Sequence, residues 1–265
     1  MILTSIRRRR TNAIMETPSP LPAATFDPVE RDRFAALASE WWDPRGKFAA
    51  LHRIGPARLT FLRDELTRHF GRKPGGLRPL ESLRVLDVGC GGGLICEPLA
   101  RLAACVTGLD PALENVEAAR QHATGQRLAI DYQAGRVEDL VAKGLLYDAV
   151  ICLEVVEHVP DVAAFLSTCA RLLRPGGLML LSTINRTLKA YALAIIGAEY
   201  VLGWLPVGTH RWDRFVTPQE LAHHLRAAGL DEPVCKGLLY NPLKDEWSLG
   251  LDTDVNYLAA AAKPA

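Results

Sequence analysis

Val85-Leu86-Asp87-Val88-Gly89-Cys90-Gly91-Gly92-Gly93 is the stretch that decides the fold. Its apolar, valine-containing start predicts a strand, and its glycines predict a turn that opens a helix over Leu94–Ala103. Glycines in such a turn permit positive φ and let the backbone approach a ligand closely. Asp110 stands at the end of a second apolar run, Cys105-Val106-Thr107-Gly108-Leu109. A carboxylate there can accept hydrogen bonds from both hydroxyls of a ribose.

Outward from this unit, strands are predicted over Arg84–Val88, Cys105–Leu109, Ala129–Gln133, Asp148–Leu153 and Leu178–Thr183, with helices over Leu94–Ala103, Ala112–His122 and Val162–Leu173. Strands alternating with helices predict an α/β chain, a mostly parallel sheet covered on both faces. A capped helix follows over Thr217–Ala228, with Thr217 as N-cap and Glu220 as its partner, and then strands near Pro233–Tyr240 and Val255–Ala261. Ahead of the sheet, Asp27-Pro28-Val29-Glu30 is a helix start signal with Glu30 at the capping position. Phe34, Leu37, Ala38, Trp41 and Trp42 extend that helix at amphipathic spacing up to Pro44, and a second helix is predicted from Pro56, with Leu59, Leu62, Leu66 and Phe70 on one side. Gly71 to Ser82 reads as a linker. Residues 27–265 are expected to form a single domain, with N-terminal helices over 27–70 and an insertion over 186–214.

The 265 residues carry 31 Lys and Arg against 30 Asp and Glu, a balance that argues against a general nucleic-acid binder. Hydrophobic residues make up 49%, enough for a substantial core. No apolar run is long enough for a transmembrane helix. The six cysteines form no Cys-x-x-Cys pair and read as free, buried thiols. Residues 1–26 read as a disordered or presequence-like tail with a basic run, Arg7 to Arg10. An organelle presequence, a true start at Met15 and a bare solvated tail are its three readings.

The glycine spacing selects the ligand. A dinucleotide fingerprint counted from Gly89 needs a glycine where Leu94 stands, and Asp87 would repel a pyrophosphate. An acid beside the glycines suits a cationic, phosphate-free ligand with an α-ammonium group, and S-adenosylmethionine (SAM) is one. Asp-x-Gly-x-Gly-x-Gly resembles motif I of the class I methyltransferases. Asp110, Glu138-Asp139 after the third strand and Arg174-Pro175-Gly176-Gly177 before the fifth are in register with that reading.

The flanks narrow the resemblance. Trp41-Trp42-Asp43-Pro44, His52-Arg53-Ile54-Gly55-Pro56-Ala57-Arg58, Glu154-Val155-Val156-Glu157-His158-Val159-Pro160, Ser182-Thr183-Ile184-Asn185-Arg186, Gly197-Ala198-Glu199-Tyr200, Gly208-Thr209-His210 and Asp254-Val255-Asn256-Tyr257 occur in order. Together they resemble the ubiquinone-biosynthesis O-methyltransferases of the UbiG family over about residues 30 to 263. Gly55, where that family often has Asn, and residues 1–28 depart from the pattern.

The resemblance implies a class I methyltransferase fold, Rossmann-like, with a seven-stranded, mostly parallel sheet, the last strand antiparallel, and N-terminal helices. It implies transfer of a methyl group from SAM to phenolic hydroxyls of 2-polyprenyl-6-hydroxyphenol-type intermediates and of 3-demethylubiquinol. By position it places cofactor contacts on Arg58, Gly89, Asp110 and Leu153, with Arg58 on the methionine carboxylate. The motif itself adds Asp87 and Gly91.

Methyl transfer from a sulfonium is an in-line displacement that needs an aligned acceptor oxygen and help with loss of its proton. Glu154, Glu157 and His158 have the spacing of one helical face at the carboxyl edge of the sheet. Three readings stand: the trio holds Mg2+, which the resemblance supports; His158 acts directly as base, with Glu157 beside it; or the trio is structural. His210 is a second base candidate.

Tyr191 to Leu205 is apolar except for Glu199 and is flanked by Lys189, Arg211 and Arg214. It suits a lid over residues 188–206 that docks on a membrane surface, or else a sheet-covering helix or dimer contact. The expected location is cytoplasmic and peripheral to the inner membrane, or the matrix side in a mitochondrion, with membership of a ubiquinone-biosynthesis complex as a further expectation. The competing functions are a same-fold methyltransferase with a small soluble or carbon acceptor, and a non-catalytic SAM-binding subunit of a membrane biosynthetic complex.

Overall fold

The computed structural model describes residues 25–73, 75–193 and 211–265. The tail expectation for 1–26, the lid and most of the 186–214 insertion, and His210 therefore fall largely or wholly outside the described residues.

Eight strands form one sheet in the order β3-β2-β1-β4-β5-β8-β6-β7. They are β1 Arg84–Val88, β2 Cys105–Asp110, β3 Asp131–Ala134, β4 Tyr147–Leu153, β5 Leu173–Ile184, β6 Val234–Asn241, β7 Glu246–Gly250 and β8 Asn256–Ala262. β1 to β5 are parallel, and β8 is antiparallel to both β5 and β6. β7, antiparallel to β6, is one strand more than the resemblance implies. The strand order reverses between β1 and β4, so their carboxyl ends diverge and leave a crevice there.

The strand pleat sends alternate residues to opposite faces, and both faces are apolar. Val85, Val106, Ala149, Ile151 and Leu180 pack beneath α2 (Ala49–His69), α3 (Cys96–Arg101) and α4 (Leu113–Gly125), while Leu86, Val88, Val150 and Cys152 pack beneath α6 (Val162–Arg171) and α8 (Pro218–Ala227). Phe61, Leu62 and Leu66 fasten α2 to the sheet, and each such burial contributes about 1.5–3 kcal/mol. The Thr217–Glu220 cap of α8 closes in both directions, as its sequence predicts. α5 (Val137–Ala142) follows β3, with Asp139 accepting from the Arg136 amide at 2.8 Å, and a short α7 (Leu188–Ala190) opens the insertion.

Several boundaries differ. The first helix, α1, ends at Ala35, followed by a 3-10 turn at Ala38–Glu40 instead of running to Pro44. Trp41 and Trp42 leave the helical path because both turn onto the glycine loop. Asp27 caps the Val29 amide, but Glu30 does not reach back to complete a capping box; it goes to His158. α2 starts at Ala49 and carries Pro56 inside it instead of at its start. Phe48, stacked on Trp41 with ring centroids 3.7 Å apart, anchors the earlier start. Arg174 to Gly177 lie within β5, not before it. All six cysteines are free; Cys90, Cys96, Cys152 and Cys169 are buried, whereas Cys105 is exposed and Cys235 half-buried.

Candidate active site

A cavity of about 1200 Å3 opens along the carboxyl edge of the sheet. Asp87, Gly89, Asp110, Leu153, Glu154, Glu157, His158 and Arg58 all line it. Residues predicted from four separate stretches of sequence thus meet in one space.

On the β1–β2 side the glycine turn is held against the end of β2. The Gly89 and Cys90 amides both donate to the Leu109 carbonyl, and the Gly91 amide donates to Asp110 Oδ2 at 2.9 Å. Asp110 Oδ1 accepts from the Ala112 amide at 2.9 Å and from Asn115 Nδ2 at 3.1 Å. Burial raises the Asp110 pKa, against the pull of these donors. Gly91 has φ +52°, and a Cβ there would lie 2.3 Å from the Trp41 ring. Trp41 is stacked over the turn in this way, and its indole N–H donates to Asn115 Oδ1 at 2.8 Å. Trp42 donates to the Gly92 carbonyl at 2.9 Å and stacks on His122. Neither Trp41 nor Asn115 was marked as a site residue by the sequence, because each acts through a partner far along the chain.

Asp87 lies under the turn, wholly buried, and accepts from Cys96 Sγ at 3.2 Å. Burial, with the Asp110 charge adding to it, pushes its pKa up to about 7.

Arg58, on α2, pairs with Glu154 at 2.7 Å through Nη2, the two side chains being 5% and 18% exposed. Its Nε is buried and has no partner. A guanidinium so placed keeps one donor for a second carboxylate. Arg58, which the resemblance assigns to a methionine carboxylate, is thus paired with a protein carboxylate that the sequence did not pair with it.

The trio after β4 is not a helical face. Glu154 has φ +54° and ends the strand, and only Val156–His158 form a 3-10 turn. The chain must reverse here to leave the sheet edge, so the three side chains diverge to separate partners. Glu154 accepts from Ser182 Oγ at 2.5 Å besides its bond to Arg58. Glu157 accepts from Thr183 Oγ1 at 2.9 Å through Oε2, while its Oε1 is buried without a partner. Burial, reinforced by the Glu154 charge, pushes the Glu157 pKa up to about 7.

His158 Nδ1 lies 3.0 Å from Glu30 Oε2 of α1, and Phe34 of the same helix meets the ring edge-on. Burial disfavours the imidazolium, but the hydrogen bond to Glu30 and the charges of Glu157, Glu30 and Glu154 outweigh it and raise the His158 pKa. That same hydrogen bond lowers the Glu30 pKa. Among the described residues no group of three or more His, Cys, Asp or Glu side chains is arranged to hold a metal ion.

Comparison with known proteins agrees with this geometry. A family model described as a methyltransferase domain matches residues 55–232. The chain is 52% identical to the ubiquinone biosynthesis O-methyltransferase of Azorhizobium caulinodans over 242 residues, 91% of this chain and 95% of that protein. It is 52% identical to the protein of the same name from Chelativorans sp. strain BNC1 over 240 residues, again 91% of this chain and 95% of the other. Among solved structures, magnesium protoporphyrin IX methyltransferase from Synechocystis PCC 6803 with bound SAH shares the fold with a TM-score of 0.63 at 21% identity, covering 89% of this chain and 98% of that one.

Proposed function

The chain belongs to the ubiquinone biosynthesis O-methyltransferases, and from that premise we propose that it methylates phenolic hydroxyls of 2-polyprenyl-6-hydroxyphenol-type intermediates and of 3-demethylubiquinol, using SAM. The observation that carries the reading is the single cavity joining the Asp110–glycine-turn unit to the Glu154–His158 segment. One ligand bound at the first and another at the second lie side by side, as transfer requires.

The residues present fit SAM. Asp110 offers a buried carboxylate to the ribose hydroxyls, Gly89 stands in the cavity lining, and Leu153 supplies an apolar wall, whereas Gly91 is covered by the Trp41 ring and lies outside the lining. Arg58 Nε, the orphaned buried donor, suits the methionine carboxylate, and Asp87 suits the ammonium group. When bound, the cofactor supplies an electrophilic methyl group on a positively charged sulfur.

His158 is the proton acceptor in this reading. Glu30 holds Nδ1, which leaves Nε2 for the phenol. Nε2 would take the phenol proton as the oxygen accepts the methyl group that the cofactor supplies. Glu157, beside His158, supports the charge that develops on the imidazolium.

The Mg2+ reading of Glu154, Glu157 and His158 stays a separate proposal. As they stand, Glu154 is engaged by Arg58 and His158 by Glu30, so the three fall short of a metal site and no step is derived through an ion. The substrate's prenyl tail supports the further proposal that the protein works at a membrane surface, through residues 188–206 and beside other enzymes of the pathway. No helix of the described residues is long and apolar enough to cross a membrane.

Incubation of the protein with methyl-labelled SAM and a demethylated polyprenyl quinol tests the reading. Label in the extracted quinol supports it; label left wholly in SAM overturns it. Parallel arms with EDTA and with Mg2+ re-added test the metal proposal.

A further inference from the structure

The cavity has a third wall that neither the cofactor unit nor the Glu154–His158 segment accounts for. β8 begins at Asn256, opposite Ile184 at the end of β5, and Leu238 of β6 is also paired with Asn256. Residues after Leu238 therefore project past the carboxyl edge of the sheet as the β6–β7 hairpin. Leu239 and Trp247 of this hairpin line the cavity together with Leu51, Ile54 and Gly55 of α2. Arg53 of α2 reaches Asp245 in the hairpin turn at 3.5 Å, and Asp245 also accepts from Tyr240 Oη at 2.8 Å, which ties helix and hairpin along their wet edge.

Two features show what this apolar end admits. Gly55 sits inside α2, where alanine would favour the helix. A Cβ there would meet nothing within 4 Å, so packing does not require glycine, and any larger side chain would enter the cavity. Four exposed leucines belong to the cavity lining or stand next to it in the chain. Leu188, Leu193, Leu243 and Leu251 are 82%, 54%, 95% and 94% exposed. Leu193 itself lines the cavity, and the other three adjoin the lining residues Lys189, Pro242 and Asp252. Leucines held in water beside an apolar channel suit an apolar chain arriving from lipid.

We propose that the end of the cavity between α2 and the β6–β7 hairpin is a subsite for the linear isoprenoid tail of the acceptor, lined by Leu51, Ile54, Leu239 and Trp247. The inference rests on the acceptor's being a polyprenylated phenol. β7, the strand beyond the implied seven, is then the element that builds the tail wall onto the methyltransferase sheet.

Gly55→Leu fills the subsite from a position with open space around it, so the fold tolerates it. Two acceptors are compared, a demethylated quinol with a farnesyl tail and the same ring with a methyl group in its place. The ratio of their kcat/KM values, tailed over tail-less, is expected to fall about tenfold or more in the variant. Calorimetric binding of farnesol to the SAH-loaded protein is expected to weaken by a similar factor. An unchanged ratio together with unchanged farnesol binding overturns the subsite. If wild type methylates neither acceptor, the proposed function falls instead, and the farnesol comparison alone decides the subsite.

Discussion

Arg58 of α2 and Glu154 at the end of β4 are joined across the cavity by a 2.7 Å ion pair, although the two lie far apart in the chain. Both side chains are largely buried, so each relies on the other for its charge to be tolerated. The pair also fixes one wall of the cofactor side to the start of the acceptor side.

Arg58→Ala is therefore expected to destabilise the protein by about 3–5 kcal/mol, because it strands Glu154 with a buried charge. Glu154→Gln, which keeps the shape and a hydrogen-bond acceptor, is expected to cost less. Denaturant midpoints of both variants check this. Equal and negligible losses would show that the pair bears no strain of the fold.

Asp110 is expected to carry cofactor affinity besides holding the Gly91 and Ala112 amides. Asp110→Ala should weaken SAH binding by about tenfold or more, roughly 1.4 kcal/mol, in calorimetric titration. Trp41→Phe keeps the ring over the glycine turn but removes the donor to Asn115, so it should weaken binding by a smaller factor. Binding undiminished in Asp110→Ala would remove the ribose assignment.

Asp87 should make the stability of the ligand-free protein depend on pH. Its folded pKa is about 7, against 3.8 in an unperturbed carboxyl. Between those values the folded state holds a proton that the unfolded state has released. Stability is thus greatest below about pH 4, falls as pH rises through the interval and levels off above 7, with a full span of about 4 kcal/mol from this group. Asp87→Asn should make the profile shallower and leave the slope that Glu157 and Asp110, whose pKa values burial also raises, contribute. Urea midpoints at pH 5 and pH 8 for both proteins show whether the slope is reduced.

What the sequence made legible was local. The glycine turn, its flanking strands and the Thr217 cap could be read because each signal lies within a few consecutive residues. The end of α1 could not, since Trp41 and Trp42 keep the helical period while their rings are drawn to Gly91 and to Gly92. β7 is a five-residue edge strand with a charged first residue and carries too little pattern to announce itself. In the candidate site, Asp87 and Gly89 came from one motif and Asp110 from the end of the next strand, and all three line the cavity. The partners that set the site's chemistry were not legible: Glu30 reaches His158 across 128 residues, and no spacing rule spans that distance.

His158 should carry the proton. His158→Ala is expected to lower kcat by about a hundredfold while SAH affinity stays near that of wild type. Glu30→Gln, which keeps a neutral partner for Nδ1, should fall between the two, and Glu30→Asp should recover part of the loss. Stopped assays at saturating SAM with a matching SAH titration separate a chemical defect from a binding one.

The most direct measurement follows the methyl group itself. The protein is incubated with SAM carrying a 13C-labelled methyl group and a demethylated polyprenyl quinol, and the product is examined by carbon NMR. The account predicts a single labelled methoxy carbon on the ring. A labelled methyl group on a ring carbon, or SAM recovered with its label intact, would contradict it.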